Sequence, residues 1–460
     1  MSEKRFRVIV IGGGPAGLTA AHALSQAGID YIVLERRHSV VADVGASLAL
    51  YPQGLRVLAQ LGLWRRLRPI GAEVKRCTTF TLDGYKYRES SAPSTFKKNH
   101  GTAPVVFHRA DLLQALFDGL GDDDKACILT SKKVINILAN TDGVQVFCED
   151  GTHYTGSMLI GADGVHSVVR QRMRQLALTL GTPESQINEE KPFLAEYRAL
   201  WCNFPRPAGL DSGDYVESHG KGLSVQCLNG KDRSWMFIYE RLDQPTSDKV
   251  RYTADETAAL AYRARYLAVS EGLRVKDVLR DAYMYTSGMA NLEEGVVEHW
   301  SWGRIVLVGD ACHKMTPNHG LGYNNGIQDV VALVNELHAM LFSSPPSSSG
   351  LLEIEHLMGA FSRYKAARME LLQKDYDASR FLTRASAWHN WAFRVADRYI
   401  FPRIPGLDNF LLTHVVAKGI SKTLVLDFVE GEETFEGRVP WKKQIKARSL
   451  KLLTPYSTYG

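Results

Sequence analysis

The stretch Arg7–Gly28, RVIVIGGGPAGLTAAHALSQAG, decides the fold. Arg7–Ile11 is mostly apolar, β-branched and of strand length. The residues after it open on three glycines and a proline and continue with helix formers to Gly28. A buried strand, a glycine turn and a helix begin a βαβ unit, and Ile29–Leu34 supplies its second strand. Gly12, Gly14 and Gly17 stand at G-x-G-x-x-G spacing between a strand and a helix, the context in which that spacing carries meaning. Gly12 permits the tight turn, Gly14 lets a pyrophosphate approach the backbone, and Gly17 lets helix and strand pack closely. The helix N-terminus then offers free N–H groups and a positive dipole end to phosphates. Glu35 closes the second strand where a carboxylate would hold a ribose diol. A dinucleotide site follows, but this stretch alone does not separate FAD from NAD.

The rest of the composition is that of an ordinary globular protein: 460 residues, 45% apolar and 23% charged, with a net charge of +5. That length predicts two or three domains. No basic stripe is interleaved with aromatics, which argues against nucleic acid as a partner. Six cysteines are scattered without a C-x-x-C pair, so no disulfide framework and no metal site is expected. MSEKRFR leads into a strand without a signal-peptide core, and no apolar run reaches the roughly 18 residues of a membrane helix. A cytoplasmic protein without a transmembrane segment is the expectation. RVPWKKQIKARSLKLL, Arg438–Leu453, packs six cations and reads as a solvated basic tail, with membrane-surface contact through residues 438–460 as the minority reading.

Further along, VQVFCEDGTHY turns at Asp150-Gly151 as a hairpin does, and CTTFTLDGYKYRE turns at Asp83-Gly84. Residues 191–242 alternate as strands, with a turn at Asn229-Gly230. Helical periodicity is expected over Asp255–Tyr283, His356–Lys374 and Tyr376–Tyr399, and a surface loop over Phe342–Gly350. Trp388, Trp391 and Phe393 read as helical core. His313 reads as a packed histidine, because no acid stands near it at ligand spacing in the sequence.

Four motifs then occur in a telling order: VGASLALYPQGLRVLAQLG (Val44–Gly62), FHRADLLQAL with Arg109, LIGADGVHSVVR with Asp163-Gly164, and RIVLVGDACHKMTP with Asp310. With the GGGPAG turn, the set resembles class A flavoprotein monooxygenases, the p-hydroxybenzoate-hydroxylase-like family. GDACHKMTPN and LYPQGLRVLAQLGLW are similar to the fungal members that act as FAD-dependent monooxygenases and epoxidases on terpenoids, meroterpenoids and indole alkaloids. The resemblance implies an α/β fold. A Rossmann-like FAD-binding domain would run over 1–75, 103–182 and 285–375, with a substrate-domain hairpin at 76–102. An inserted mixed β-sheet substrate domain would occupy 183–284, and a C-terminal helical region with the basic tail 376–460. It also implies that Gly45, Ala46 and Ala49 line the cofactor, that Arg109 contacts it, and that Asp310 holds the ribityl chain. Asp163-Gly164 would support FAD and a passing nicotinamide, and Gly322-Tyr323 would meet the isoalloxazine. Leu321, Tyr323 and Gln328 depart from the residues that relatives usually carry.

The turn HKMTPNHGLGYNNGIQD, His313–Asp329, suits such a ring. A helix N-terminus with unobstructed N–H groups stabilises the anion of a reduced flavin, and Asn324 or Asn325 would cap that helix. No second G-x-G-x-x-G follows a strand, so NAD(P)H is expected as a transient cosubstrate. With O2, the resemblance implies a flavin C4a-hydroperoxide that transfers one oxygen to a lipophilic, electron-rich small molecule in a dry chamber. Epoxidation of a terpenoid or prenyl alkene, or of an indole 2,3-bond, is the leading expectation. A salicylate-hydroxylase-like phenolic hydroxylase is the alternative, and a non-catalytic flavin-gated protein the remote one. Arg198, in EYRALWCNF, and Tyr215, in SGDYVESHG, are the candidate catalytic residues, the first as a hydrogen-bond donor and the second as donor or proton relay.

Overall fold

Short β-branched runs, too apolar to face water on either side, assemble into one buried sheet. In the computed structural model, which describes residues 6–43, 45–342 and 354–448, this sheet has six strands. Their order is Ser301–Trp302, Ile305–Leu307, Met158–Gly161, Arg7–Ile11, Asp30–Leu34 and Ile128–Leu129. The central strands run parallel, with Val8 beside Met158 and Tyr31, as crossover connections require. Helices Pro15–Gln26 and Leu321–Phe342 pack on the sheet through fully buried Leu18, Leu24, Ile327 and Leu333.

A second sheet has eight strands, ordered His313–Lys314, Gly288–Val296, Leu194–Pro205, Arg233–Thr246, Leu223–Asn229, Asp214–Gly220, Arg76–Thr81 and Lys86–Ser90. Because side chains alternate across a strand, it presents two different faces. One packs Leu200, Cys202, Val225, Met236 and Ile238 under helices Ala254–Ala264 and Val275–Arg280. The other gathers Tyr197, Leu228, Trp235, Phe237 and Tyr239, with Ala49 and Tyr215 against them, and looks toward the nucleotide-binding half.

Three expectations change. Gly288–Val296 pairs with Leu194–Pro205, so the second sheet continues past residue 284. Asp255–Tyr283 is broken by a small hairpin at Ala268–Arg274, where Gly272 takes φ +73°. His356–Lys374 and Tyr376–Tyr399 are not two helices joined near residue 375. A single helix, Ile354–Ser386, runs through Asp375, which is held by Asn325. The loop expected at 342–350 falls, beyond Phe342, outside the described residues, and so does the basic tail from 449 onward.

Candidate functional site

Four loops leave the carboxyl ends of neighbouring parallel strands and converge, the usual place for a ligand in an open α/β sheet. The first is the glycine turn. A Cβ on Gly17 would fall 1.8 Å from the Gly12 carbonyl oxygen, whereas one on Gly14 would meet nothing within 4 Å. Gly17 is therefore fixed by packing, and Gly14 leaves its backbone accessible. The second loop brings Glu35, 8% exposed, whose oxygens accept from the backbone N–H of Gly13 (2.7 Å) and Arg37 (2.9 Å). The third carries Asp163, whose Oδ1 accepts from Ser167 Oγ at 2.5 Å and Oδ2 from Val169 N at 3.1 Å. Those bonds commit Asp163 to the start of helix Val168–Thr179.

The fourth loop carries Asp310, paired with Lys314 at 2.6 Å and lying 3.7 Å from where a Gly322 Cβ would stand. Burial lowers the affinity of Lys314 for its proton, but the Asp310 carboxylate outweighs it and the net shift is upward. Arg109 begins helix Arg109–Asp118, and one of its guanidinium nitrogens is buried without a protein partner. Burial, with Arg37 nearby, pulls its pKa down, while Asp310 and Glu35 pull the other way. The Arg109 backbone N–H bonds the Ala46 carbonyl, placing strand Ser47–Leu50 beside it. Gly45 takes φ +73° with Asn203 donating to its carbonyl, and a Cβ on Gly320 would sit 2.8 Å from the Ala49 Cβ. A guanidinium with one orphaned buried nitrogen, two carboxylates and glycine-lined backbone suit a ligand that carries phosphates, hydroxyls and a planar ring, and FAD fits. Asp310→Ala is expected to release the flavin, read as lost yellow absorbance after gel filtration; retention of the colour would remove Asp310 from the binding set.

The turn over the ring position differs in detail from the expectation. Pro317–His319 forms a short 3-10 turn, Gly320 takes φ +63°, and helix Leu321–Phe342 begins at once. Asn324 and Asn325 therefore sit a turn inside the helix and do not cap it. Asn324 clips strand Ser47–Leu50 instead, donating to Ala49 O at 2.9 Å and accepting from Tyr51 N at 2.9 Å. Tyr323 reaches back to Thr19 Oγ1 at 2.9 Å. His313 does have an acid partner, sixteen residues on: its Nε2 lies 2.5 Å from Asp329 Oδ2, and Arg368 Nε donates to Asp329 Oδ1 at 2.8 Å. Cys312, His313 and Asp329 could together face a metal, but the Arg368 cation already takes up the carboxylate.

Arg198 and Tyr215, both candidates for the chemistry, are not brought together. Arg198 lies on the helix-covered face, with Nε 2.7 Å from Glu240 Oε2, and Arg263 of helix Ala254–Ala264 binds the same carboxylate. Alternation along Leu194–Pro205 puts it on the side away from Tyr197, Ala199 and the turn. Arg198→Ala is expected to leave turnover within about twofold and to cost about 0–1 kcal/mol of stability, measured by product formation and urea unfolding.

Tyr215 is on the face that looks at the turn, and sequence reasoning missed its company. Gln226 Nε2 donates to Tyr215 Oη and to the Asn318 carbonyl, each at 2.6 Å, and Tyr215 Oη donates to Glu217 Oε1 at 2.6 Å. Glu217 Oε2 lies 3.3 Å from His219 Nε2, and His219 Nδ1 lies 2.8 Å from Asp397. Tyr87 and Trp388 also donate to Asp397, at 2.6 and 2.9 Å. Burial alone would raise the Glu217 pKa, yet the bond and charge of His219 hold it well below the carboxylate range. Burial alone would lower that of His219, but its bonds to Asp397 and Glu217 push it up to about 9. Burial and the neighbouring Glu217 carboxylate both keep the Tyr215 hydroxyl protonated. A buried chain of proton-bearing groups thus runs from the turn into the C-terminal helices. Asn318 Oδ1 and His319 Nδ1, beside it, are buried without a protein partner. The available signal was the period-two spacing of Tyr215, Glu217 and His219, which puts three ionisable groups on one strand face.

The family model described as an FAD binding domain matches residues 5–349. The chain belongs to this FAD-binding family. It is 31% identical over 433 residues to the FAD-dependent monooxygenase penE of Penicillium thymicola, covering 93% of this chain and 88% of that one. It is 34% identical over 402 residues to the FAD-dependent monooxygenase spyC of Aspergillus fumigatus, covering 86% and 83%. The FAD-dependent monooxygenase paxM of Penicillium paxilli is 32% identical over 464 residues, covering 100% of this chain and 94% of that one. Among solved structures, Klebsiella pneumoniae HpxO complexed with FAD and uric acid superposes with a TM-score of 0.71 at 21% identity, covering 91% and 97%. 2,6-Dihydroxypyridine-3-hydroxylase from Arthrobacter nicotinovorans superposes at 0.64 and 17% identity, covering 85% and 95%. The protein is an FAD-dependent monooxygenase with the class A fold: the Rossmann-like sheet, the mixed second sheet and the C-terminal helices are its parts.

Proposed function

We infer that the monooxygenase uses NAD(P)H as a passing reductant and inserts one oxygen into a lipophilic, electron-rich small molecule of secondary metabolism. A terpenoid or prenyl alkene is the first substrate class and an indole 2,3-bond the second. One observation carries this reading: the inner face of the second sheet is built from Tyr197, Leu228, Trp235, Phe237 and Tyr239, and the carboxylate on that face, Glu217, is bonded to Tyr215 and His219. Such a wall suits an apolar skeleton and keeps water from the reacting centre. The Penicillium and Aspergillus relatives, matched over most of their own length, support the assignment to secondary metabolism.

Glu35, Arg109, Asp310 and the backbone of Gly12–Gly14 and Gly45–Ala49 would hold FAD, and the first turn of helix Leu321–Phe342 would face its ring. Bound FAD supplies the electrons that activate dioxygen. The chain's own part is to position the substrate, exclude water, and manage one proton. Tyr215 Oη holds that proton, Glu217 Oε1 accepts its hydrogen bond, and Gln226 ties both to the Asn318 carbonyl. The phenolic-hydroxylase reading relied on a cation at Arg198 to meet a phenolate, and that cation faces the other way.

The test is incubation with labelled O2, NADH or NADPH, and a panel of prenylated polyketides, terpenoids, indole alkaloids and simple phenols. One labelled oxygen in an alkene or indole product is expected. Label found only in hydroxylated phenols, or reductant consumption without any labelled product, would overturn the substrate assignment.

A further inference from the structure

Helical core was the expectation for Trp388–Phe393, and Trp391 is instead 78% exposed. It opens a hairpin of short helical segments, Trp391–Arg403 and Leu407–Ile420, joined at Ile404–Gly406 with Gly406 at φ +75°. The inner side is well anchored. Asp397 meets His219, Asn409 accepts from Thr95, and Ala417 and Ile420 are buried, Ile420 packing with Phe96 and Trp441. On the outer side Tyr399, Ile400, Ile404, Phe410 and Val415 are exposed, as Trp391 is, with Val415 at 60% and Phe410 at 57% exposure. So many exposed large apolar side chains on one short hairpin mark an interaction site.

The charges around it select the occupant. Between residues 391 and 422 stand Arg394, Arg398, Arg403, Lys418 and Lys422 against two acids, Asp397, which is buried, and Asp408. The Arg394 guanidinium lies over Trp388 and that of Arg403 over Tyr399, and both residues stay exposed. Beside Phe410 an open cleft of about 500 Å3 is lined by Asn99, Asn409, Thr413, His414 and Arg438, which adds one more cation beside the hairpin. Exposed Trp and Tyr, long cations and apolar side chains on one short helical hairpin are what a headgroup layer accommodates. Among the described residues no helix is long and apolar enough to cross a membrane.

We propose that the hairpin 391–420 docks on the surface of an anionic phospholipid bilayer, lying in the headgroup layer without crossing it. The inference does not depend on the substrate proposed above, and its test reads no turnover. The full-length holoenzyme is floated with phosphatidylcholine vesicles, with and without phosphatidylserine. It should rise with the phosphatidylserine vesicles and be released by high salt, and brominated lipid should quench its fluorescence more than that of Trp391→Phe. A Trp391→Glu/Phe410→Glu/Val415→Glu variant that keeps its flavin absorbance should stay at the bottom, a loss of tenfold or more. If that variant loses its flavin, Arg394→Gln/Arg403→Gln/Lys418→Gln serves instead, with a severalfold loss expected. No flotation of the parent protein, flotation indifferent to phosphatidylserine, or equal flotation of the variants would overturn the proposal. So would a dimer in sedimentation, broken by the same substitutions, in a protein that ignores vesicles.

Discussion

Asp329→Ala is expected to destabilise the fold by about 3–5 kcal/mol, the cost of removing one partner from a buried ion pair. The carboxylate is fully buried and serves three donors: Arg368 Nε at 2.8 Å, Gly309 N at 2.9 Å and His313 Nε2 at 2.5 Å. Alanine would leave the Arg368 guanidinium, 1% exposed, without its counter-charge. It would also release the backbone of Gly309, the residue before Asp310, so flavin affinity should fall together with stability. Burial alone would raise the Asp329 pKa, but the His313 ring and Arg368 hold it at about 2. A depressed pKa means the contribution is complete above the unfolded value near 3.9 and is lost as pH falls through about 2. Urea unfolding of the parent and Asp329→Ala proteins would check both points. A difference below about 1 kcal/mol at neutral pH would show that the network does not carry the fold.

Glu217→Gln should lower turnover on the order of 10²–10⁴-fold, the range that positioned proton transfer contributes, while the protein stays yellow. Glutamine keeps the size of the side chain and a hydrogen bond to Tyr215, so a merely packing role would leave kcat nearly unchanged. What disappears is the charge between a protonated Tyr215 and a cationic His219. Undiminished turnover would exclude the chain of groups from catalysis. His219 carries its own pH signature. Its folded pKa is raised to about 9, so its contribution to stability is complete below the unfolded value near 6.5 and is lost as pH rises through about 9. The stability gap between the parent and His219→Gln should therefore close across that window, as read by urea titrations at several pH values.

What could be read from the sequence was local. Gly12, Gly14 and Gly17 act through the turn they make, and Glu35, Arg109 and Asp310 each stand at the end of one strand or the start of one helix. Spacing along the chain is enough to name the glycines and Glu35, whereas Arg109 and Asp310 are named by the motifs that resemble the family. The chain of groups around Glu217 is not local: His219 meets Asp397 across 178 residues of sequence, and no spacing rule spans that gap. Arg198 shows a second limit. Period two says that Tyr197 and Arg198 point oppositely, but only the packed helices Ala254–Ala264 and Val275–Arg280 say which side faces away from the flavin turn. Trp391 shows a third, since an aromatic helix face looks the same whether another element or nothing in the chain covers it.

The helix Ile354–Ser386 spans about 50 Å and touches both halves of the molecule. Arg368 grips Asp329 on the nucleotide side, Ser379 and Thr383 hold Thr316 just ahead of the glycine turn at 2.9 and 2.7 Å, and Arg384 binds Glu196 and Glu294 of the second sheet at 2.8 and 2.7 Å. One continuous helix thus ties the nucleotide side, the segment before the glycine turn and the second sheet together. A break in this helix would therefore loosen the nucleotide side and the second sheet together.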